Sequence, residues 1–340
     1  MVLKVFCYVS DKLTNFGDDL NRWLWNRLPG FPPDEDDGTL FLGIGTIISR
    51  DLVPPSRRYI VLSSGVGYDP LPVDFGDPRW EILSVRGPLT ASVLGLPPEK
   101  AIVDGAVLLR FLPECRPLPA SERAGIVFMP HYESLELGNW RQVCEMAGFE
   151  FLDPLADSEE TVQRIRKAKL VIADAMHAAI VADALRVPWI PVVLGPRSNT
   201  FKWLDWTLSL NLPYKPATVP ASTLLESAHN NSLYFCGGRF FLNHRTPTRA
   251  IEHYKRVRRL KAWEHWGFWR RRMGITYNIP RRVYTSPVFS GFKRQEDEAR
   301  TYRAAEQLRR IATTSSYLSD DNLLMSKADQ IASLLRKLKP

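Results

Sequence analysis

Two Rossmann-like parallel sheets in an α/β fold are what this sequence predicts, on three observations. Short apolar runs alternate with turns and helix-period segments from Val2 to Val193, the pattern of strands covered by helices on both faces. A proline-rich stretch over 112–121, with Pro113, Pro117 and Pro119, divides that pattern into two similar halves. Beyond Arg245 the chain turns basic, aromatic and helical. The expected organisation is an N-terminal Rossmann-like domain over 1–118, a second over 119–240, and a basic, Trp-rich helical extension over 241–340.

In the first half, Val2–Val9 reads as a strand and Asp18–Leu28 as an amphipathic helix. Leu40–Gly45 and Tyr59–Leu62 are further strands ending in glycine turns. Ile82–Val85 is a strand that ends in Arg86-Gly87-Pro88, with a helix to Leu94, and Ala101–Val103 is a short strand before Asp104. In the second half, Gly125–Phe128 and Phe149–Leu152 read as strands around a helix over Trp140–Ala147. A helix over Ser158–Ala168 has Ser158 and Thr161 as N-cap candidates. Val171–Ala173 is a buried strand. It delivers Asp174 and then His177 into the first turn of a helix that Pro188 stops before the strand Trp189–Val193. Parallel sheets gather their chemistry at the carboxyl ends of strands, so His177 reads as functional rather than as a packed core histidine.

Composition narrows the function classes. With 340 residues, 45% apolar and 24% charged, the chain has the make-up of a globular protein with more than one domain. The longest apolar stretch, 173–195, is interrupted by Asp174, His177, Asp183 and Arg186, so it does not read as a membrane span. The N-terminus shows no signal-peptide pattern. Cys7, Cys115, Cys144 and Cys236 form no CxxC pair, which argues against a disulfide framework or a zinc knuckle. His131-Tyr132-Glu133 matches an H-x-E pattern, but no Pro-Cys-x-x-Cys partner accompanies it, so no metal is expected. No dinucleotide or P-loop glycine motif is present. The net charge of +8 is unevenly spread: residues 245–340 hold 22 Lys/Arg against 9 Asp/Glu, while the rest holds 23 against 28.

Several motifs suggest anion and sugar chemistry. Asn15-Phe16-Gly17-Asp18-Asp19-Leu20 opens a helix, where free backbone N–H groups and a glycine suit a phosphate or serve ordinary capping. Gly43-Ile44-Gly45-Thr46, Ser64-Gly65-Val66-Gly67, Val85-Arg86-Gly87-Pro88-Leu89-Thr90 and Asp104-Gly105-Ala106 follow in order. Phe128-Met129-Pro130-His131, Ala175-Met176-His177 and Phe201-Lys202-Trp203-Leu204-Asp205-Trp206 complete the set. Together, over about residues 4–216, these motifs resemble the polysaccharide pyruvyl transferase family, nearest to the succinoglycan-type ketal pyruvyl transferases of exopolysaccharide pathways.

The resemblance implies a GT-B-like arrangement and transfer of pyruvate from phosphoenolpyruvate to two hydroxyls of one sugar. The products are a cyclic ketal and phosphate. Phosphoenolpyruvate is then a co-substrate, with no further cofactor. An Arg-Leu-His triplet of some members stands here as Ala175-Met176-His177, which leaves Arg197 as the replacement for the missing arginine.

This chemistry needs an acid near C3 of the donor, a base near the sugar, and cations for two anionic groups. His177 suits the acid, with Asp174 as a neighbouring carboxylate that would raise its protonated fraction. Asp18 accepts the sugar proton or caps its helix. Arg86, Asn15, Gly17, His131 and Arg197 suit the donor, guanidinium being a bidentate partner for phosphate or carboxylate. Lys202, Trp203, Asp205 and Trp206 read as a sugar-binding surface or, for the tryptophans, as core.

The tail segment 253–272 interleaves eight Lys/Arg with Trp263, Trp266 and Trp269. It reads as an interfacial segment at the inner membrane surface beside a lipid-linked oligosaccharide acceptor, or as a helix docked on the domains with solvated charges. A nucleic-acid partner is not expected, because the body is acidic. The expected location is the cytoplasm, peripheral to the membrane. The competing functions are a nucleotide-sugar glycosyltransferase of the same fold and a non-catalytic scaffold of polysaccharide assembly.

Overall fold

A computed structural model of the protein describes all residues except 1–2, 9–14, 34–35, 68–69, 242, 263–266, 269–270, 272–283, 285–289 and 339–340. Two parallel sheets organise it. The first has the order β1 (Lys4–Val5), β2 (Thr39–Leu42), β3 (Arg58–Ser64), β4 (Trp80–Val85). A parallel bridge from Val85 to Ala101 extends it by one step. The second sheet comprises β5 (Ile126–Met129), β6 (Glu150–Phe151), β7 (Leu170–Ala173), β8 (Trp189–Val193) and β9 (Ala217–Thr218), in the order β6-β5-β7-β8-β9. That order reverses direction between β5 and β7, where a crevice opens beyond the strand ends. Phe128↔Ile172 and Met129↔Ala173 are in register, so Pro130-His131 and Asp174 leave the sheet side by side. The expected pair of Rossmann-like sheets with a helical extension is therefore what the chain forms.

The connecting helices are short and mostly buried. In the first half they are α1 (Phe16–Asp19), α2 (Leu24–Arg27) and α3 (Pro88–Leu94). The single helix expected over Asp18–Leu28 is broken. A 3-10 turn over Leu20–Arg22 separates α1 from α2, and Trp23 leaves helical geometry at φ −132°. The Asn21 side chain holds this break: its amide donates to the carbonyls of Asp18 and Ile44 and accepts from the Ile44 N–H and the Trp25 indole. The proline-rich 112–121 stretch forms two 3-10 turns that bury Leu112 and Cys115.

In the second half, α4 (Trp140–Ala147), α5 (Ser158–Lys167) and α6 (Met176–Ala184) surround the sheet. The cap of α5 is Asp157, whose carboxylate accepts from the Glu160 N–H, rather than Ser158 or Thr161. Ser158 instead accepts from the Trp23 indole and donates to Asp19, fastening α5 to the first half. Seven alanine, isoleucine and valine or aspartate side chains from Ala178 to Ala184 are buried in α6. Its small residues pack directly on the 3-10 segment Gly105–Phe111 of the first half. This contact joins the first sheet and one face of the second in a continuous core, while the other face of the second sheet packs a separate core.

Helix α7 (Thr200–Ser209) follows β8 but packs on α3 of the first half. Its Asp205 is fully buried against the Arg86-Gly87-Pro88-Leu89-Thr90 turn. Arg86 Nε donates to Asp205 at 3.0 Å, and the Thr90 N–H donates to it at 2.8 Å. Gly87 is required here, because a Cβ on it would lie 1.9 Å from the Asp205 carbonyl oxygen.

The C-terminal helices join both cores. After α8 (Leu224–Gly237), α9 (Pro247–Ala262) packs on α7, with Tyr254 stacked on Phe201 at 4.7 Å. Helix α10 (Ser290–Ala312) covers α4 with Ala304, Ala305, Leu308 and Ile311. Helix α11 (Asp321–Arg336) then returns to the first half and packs on Gly105–Phe111. The Trp-rich part of the tail, with Trp263, Trp266 and Trp269, lies outside the described residues.

Removing one partner of a buried ion pair leaves the other charge uncompensated. Asp205→Ala is expected to destabilise the fold by about 3–5 kcal/mol, read as a lowered urea midpoint. A loss below about 1 kcal/mol would contradict the tethering role of this pair.

Candidate active site

The carboxyl ends of both sheets face a cleft of about 290 Å³. Asn15, Gly17, Asp18 and Thr46 line it from the first half, and His131, Glu133, His177, Arg197 and Lys202 from the second. Lys261 of α9 reaches its edge. A smaller cavity of about 50 Å³ adjoins it and shares His131, Glu133, Met176, Arg197 and Lys202.

His177 occupies the first turn of α6, as the strand-turn-helix pattern predicts. Its imidazole presses on Gly17: a Cβ there would lie 1.9 Å from Nδ1. Its Nε2 is 3.8 Å from Asp104 Oδ2, too long for a hydrogen bond. Asp104, not Asp174, is thus the carboxylate at ion-pair distance. Asp174 accepts instead from the His131 N–H at 3.1 Å and the Ser198 hydroxyl at 2.9 Å, so it braces the two strand ends at the crevice. The expectation of a raised protonated fraction on His177 is also overturned. Burial, reinforced by the charges of Lys202, Arg86 and His131, pushes its pKa down to about 3. At neutral pH the imidazole is therefore uncharged.

The carboxylates shift the other way. Burial raises Asp18 to about 6, against a hydrogen bond from Asn15 and the charge of Lys202. Burial likewise raises Asp104 to about 6, against the field of Arg86, and Asp174 to about 6, against bonds from His131 and Ser198. Lys202 is lowered to about 8, by burial first and then by Arg86. Each shift disfavours the charged form, so a desolvated cleft reduces its own charge.

The backbone N–H groups from Phe16 to Asp18 are not free for an anion. The Asn15 carbonyl oxygen accepts from the N–H groups of Gly17 and Asp18 at 3.1 and 3.3 Å, while its amide donates to the Asp18 carboxylate. Gly17 makes room for an imidazole rather than for a phosphate. Asp18 itself faces the cleft and fits against Gly45, whose φ of +117° and missing Cβ leave space for Oδ1.

Arg86 differs most from expectation. It is fully buried, bound to Asp205, to the Thr46 hydroxyl at 2.9 Å and to the Val66 carbonyl at 3.2 Å, and it does not line the cleft. Gly65 leaves the space that its guanidinium fills. Trp203, Asp205 and Trp206 are likewise buried, at 2%, 0% and 1% exposure, so they form no open sugar platform; of the three only Trp203 lines the smaller cavity. Lys202, from the same helix, does reach the cleft, passing beside Gly67, where a Cβ would meet its stem at 2.9 Å. Asn199 caps that helix and ties it to the first half through the Gly67 carbonyl at 2.7 Å.

His131 and Arg197 stand on the cleft wall as expected, both near Glu133, with Arg197 Nη1 3.0 Å from its carboxylate. Sequence reasoning assigned no role to Asp104 or Glu133. For Asp104 a signal existed, an acidic residue directly after a short strand and before Gly105.

Two parallel sheets with a shared cleft, holding an imidazole, buried acids and cations at the strand ends, define an α/β protein with an enzyme-like site. The comparisons with known proteins make this particular. The sequence model of the polysaccharide pyruvyl transferase family matches residues 121–196, the stretch that carries β5, His131, β7 and His177. The succinoglycan biosynthesis protein ExoV of Rhizobium meliloti (strain 1021) is 43% identical over 222 residues, covering 65% of this chain and 69% of that protein. The chain belongs to the polysaccharide pyruvyl transferase family.

Replacing Gly17 tests the contact with His177 directly. Gly17→Ala forces the ring or the turn to move, and overpacking of this kind costs about 1–3 kcal/mol. Transferase activity is expected to fall by at least about tenfold, since displaced catalytic groups lose rate steeply. Activity within about twofold of the parent protein would show that the imidazole position is not critical.

Proposed function

We propose that this cleft transfers pyruvate from phosphoenolpyruvate to two hydroxyls of one sugar in a lipid-linked exopolysaccharide repeat unit. The products are a cyclic pyruvate ketal and inorganic phosphate. One observation carries the reading: a cleft holding Asp18, whose carboxyl is raised to about 6, and the neutral imidazole of His177, beside Lys202 and Arg197 as cations for an anionic donor.

The steps follow from the donor's chemistry. A proton added to C3 makes C2 electrophilic, and the first sugar hydroxyl attacks it with loss of its proton. The bond from C2 to the phosphate oxygen then breaks, and the second hydroxyl closes the ketal with loss of its own proton. One hydroxyl proton restores the acid and the other leaves with phosphate. Asp18 and His177 are the proposed exchange partners, and general acid–base groups of this kind contribute about 10² to 10⁴ in rate. His131, Arg197 and Lys202 hold the donor's carboxylate and phosphate.

The lipid linkage draws support from α9. Its inner side buries Ala250, His253, Tyr254 and Val257, while Arg249, Lys255, Arg256 and Arg259 are exposed. No described helix is long and apolar enough to cross a membrane, so the proposed contact is a surface one. A basic face attracts anionic lipid and would hold the cleft edge at Lys261 near a membrane-borne acceptor. Co-sedimentation with phosphatidylglycerol vesicles should be strong at low salt and weak at high salt. It should also be reduced by joint Lys255→Glu, Arg256→Glu and Arg259→Glu replacement. Equal binding to neutral phosphatidylcholine vesicles would remove this part of the proposal.

The decisive assay incubates the protein with phosphoenolpyruvate and a lipid-extracted oligosaccharide, following phosphate release and acceptor mass. Phosphate together with the mass gain of a pyruvate ketal supports the proposal. Turnover only with a nucleotide sugar replaces it with glycosyl transfer. Between pH 7 and 9 Lys202 loses its charge, because its pKa is lowered to about 8. KM for phosphoenolpyruvate is therefore expected to rise roughly five- to tenfold over that range. Lys202→Arg, charged throughout, should flatten the rise; an unchanged pH dependence would separate Lys202 from donor binding.

A further inference from the structure

The unused hydrogen-bonding capacity of the buried site concentrates at one place. Asp104 is fully buried, and its Oδ1 accepts from the Ala106 N–H at 3.0 Å, while Oδ2 has no hydrogen-bond partner. His177 Nε2 is also buried without a partner. These two orphans face each other at 3.8 Å. Buried polar groups left unpaired are costly, and catalytic hydrogen bonds often tighten only when substrate is bound.

We propose that Asp104 is the positioning residue for His177, its free oxygen taking the Nε2–H and leaving Nδ1 as the lone pair that removes the acceptor's hydroxyl proton. The inference rests on the function proposed above and assigns the acid and base within it.

Three further observations support it. Nε2 is closed off from solvent, so a proton exchanged between the ring and the cleft passes through Nδ1, the atom packed over Gly17. Asp104 sits at the start of Gly105–Phe111, the segment on which α6 packs, so the two partners are fixed by the same contact. The neutral state of the buried imidazole suits a base, and it leaves the acid role toward C3 to Asp18.

In the proposed step the acceptor O–H bond breaks as its oxygen bonds to C2, and the proton moves to Nδ1. The resulting imidazolium is paired with the Asp104 carboxylate and later returns its proton to the departing phosphate.

The test uses the full chain labelled with ¹⁵N-histidine, with the His177 signals assigned by their loss in His177→Asn. At neutral pH the wild type should show a protonated Nε2 and an unprotonated Nδ1. Asp104→Asn, whose amide can donate to Nε2, should shift the ring toward the Nδ1–H form. It should also lower kcat by about 10² to 10⁴, while KM for phosphoenolpyruvate stays within about twofold. Asp104→Glu should restore part of the rate.

A wild-type ring in the Nδ1–H form would overturn the proposal. So would an Asp104→Asn protein whose kcat stays within about threefold. The wild-type tautomer is read without any replacement, so a variant that fails to fold leaves the question decided. If wild-type protein turns over no phosphoenolpyruvate, the proposed function falls, while the tautomer measurement still reports on the pairing.

Discussion

The buried pair of Arg86 and Asp205 is the constraint on which the rest of the cleft depends. Two charges without water need a full set of partners, and here Thr46, the Val66 carbonyl and both polar atoms of Thr90 complete it. One partner comes from the end of a first-half strand and the other from a helix that follows the second sheet. Their pairing fixes α7 on the first half, and α7 carries Asn199 at its cap and Lys202 one turn in. The cleft is thus assembled across the two halves by a charge pair that does not itself line it.

The glycines of the motifs make up a second set of constraints. Gly17 clears space for His177, Gly45 for Asp18, Gly65 for Arg86, Gly67 for Lys202 and Gly87 for the Asp205 backbone. Each position sits where a polar side chain from a distant part of the chain must pass against the backbone. The motif order along the sequence is therefore a record of contacts in space. It reflects close packing of charged groups more than the phosphate-cradling loops that glycine-rich turns suggest in isolation.

Much of this was legible from the sequence, since strand runs and helix periods follow from local chemistry. The two sheets, the strand end at Asp174 and the helix bearing His177 all obey such rules. What was not legible depends on partners far along the chain. Arg86 reads as an anion receptor until Asp205, over a hundred residues later, is seen to satisfy it. Trp203 and Trp206 read as a sugar platform until Trp189 and Tyr214 are found packed against them. Asp174 looked like the neighbour of His177 because three residues separate them in sequence. The fold turns it instead toward His131 and Ser198. The helix over Asp18–Leu28 failed for a similar reason: Asn21 spends its hydrogen bonds on Ile44 and Trp25, and no periodicity records that.

The return of α11 to the first half also governs the order in which the molecule can be made. Residues 105–111 leave the ribosome early, yet the helix that covers their outer side spans 321–336. A nascent chain therefore leaves the outer side of residues 105–111 uncovered until residues 321–336 have been synthesised. Contacts of such long sequence separation form late and slowly. The second sheet waits likewise, because α10, over Ser290–Ala312, is the helix that covers α4.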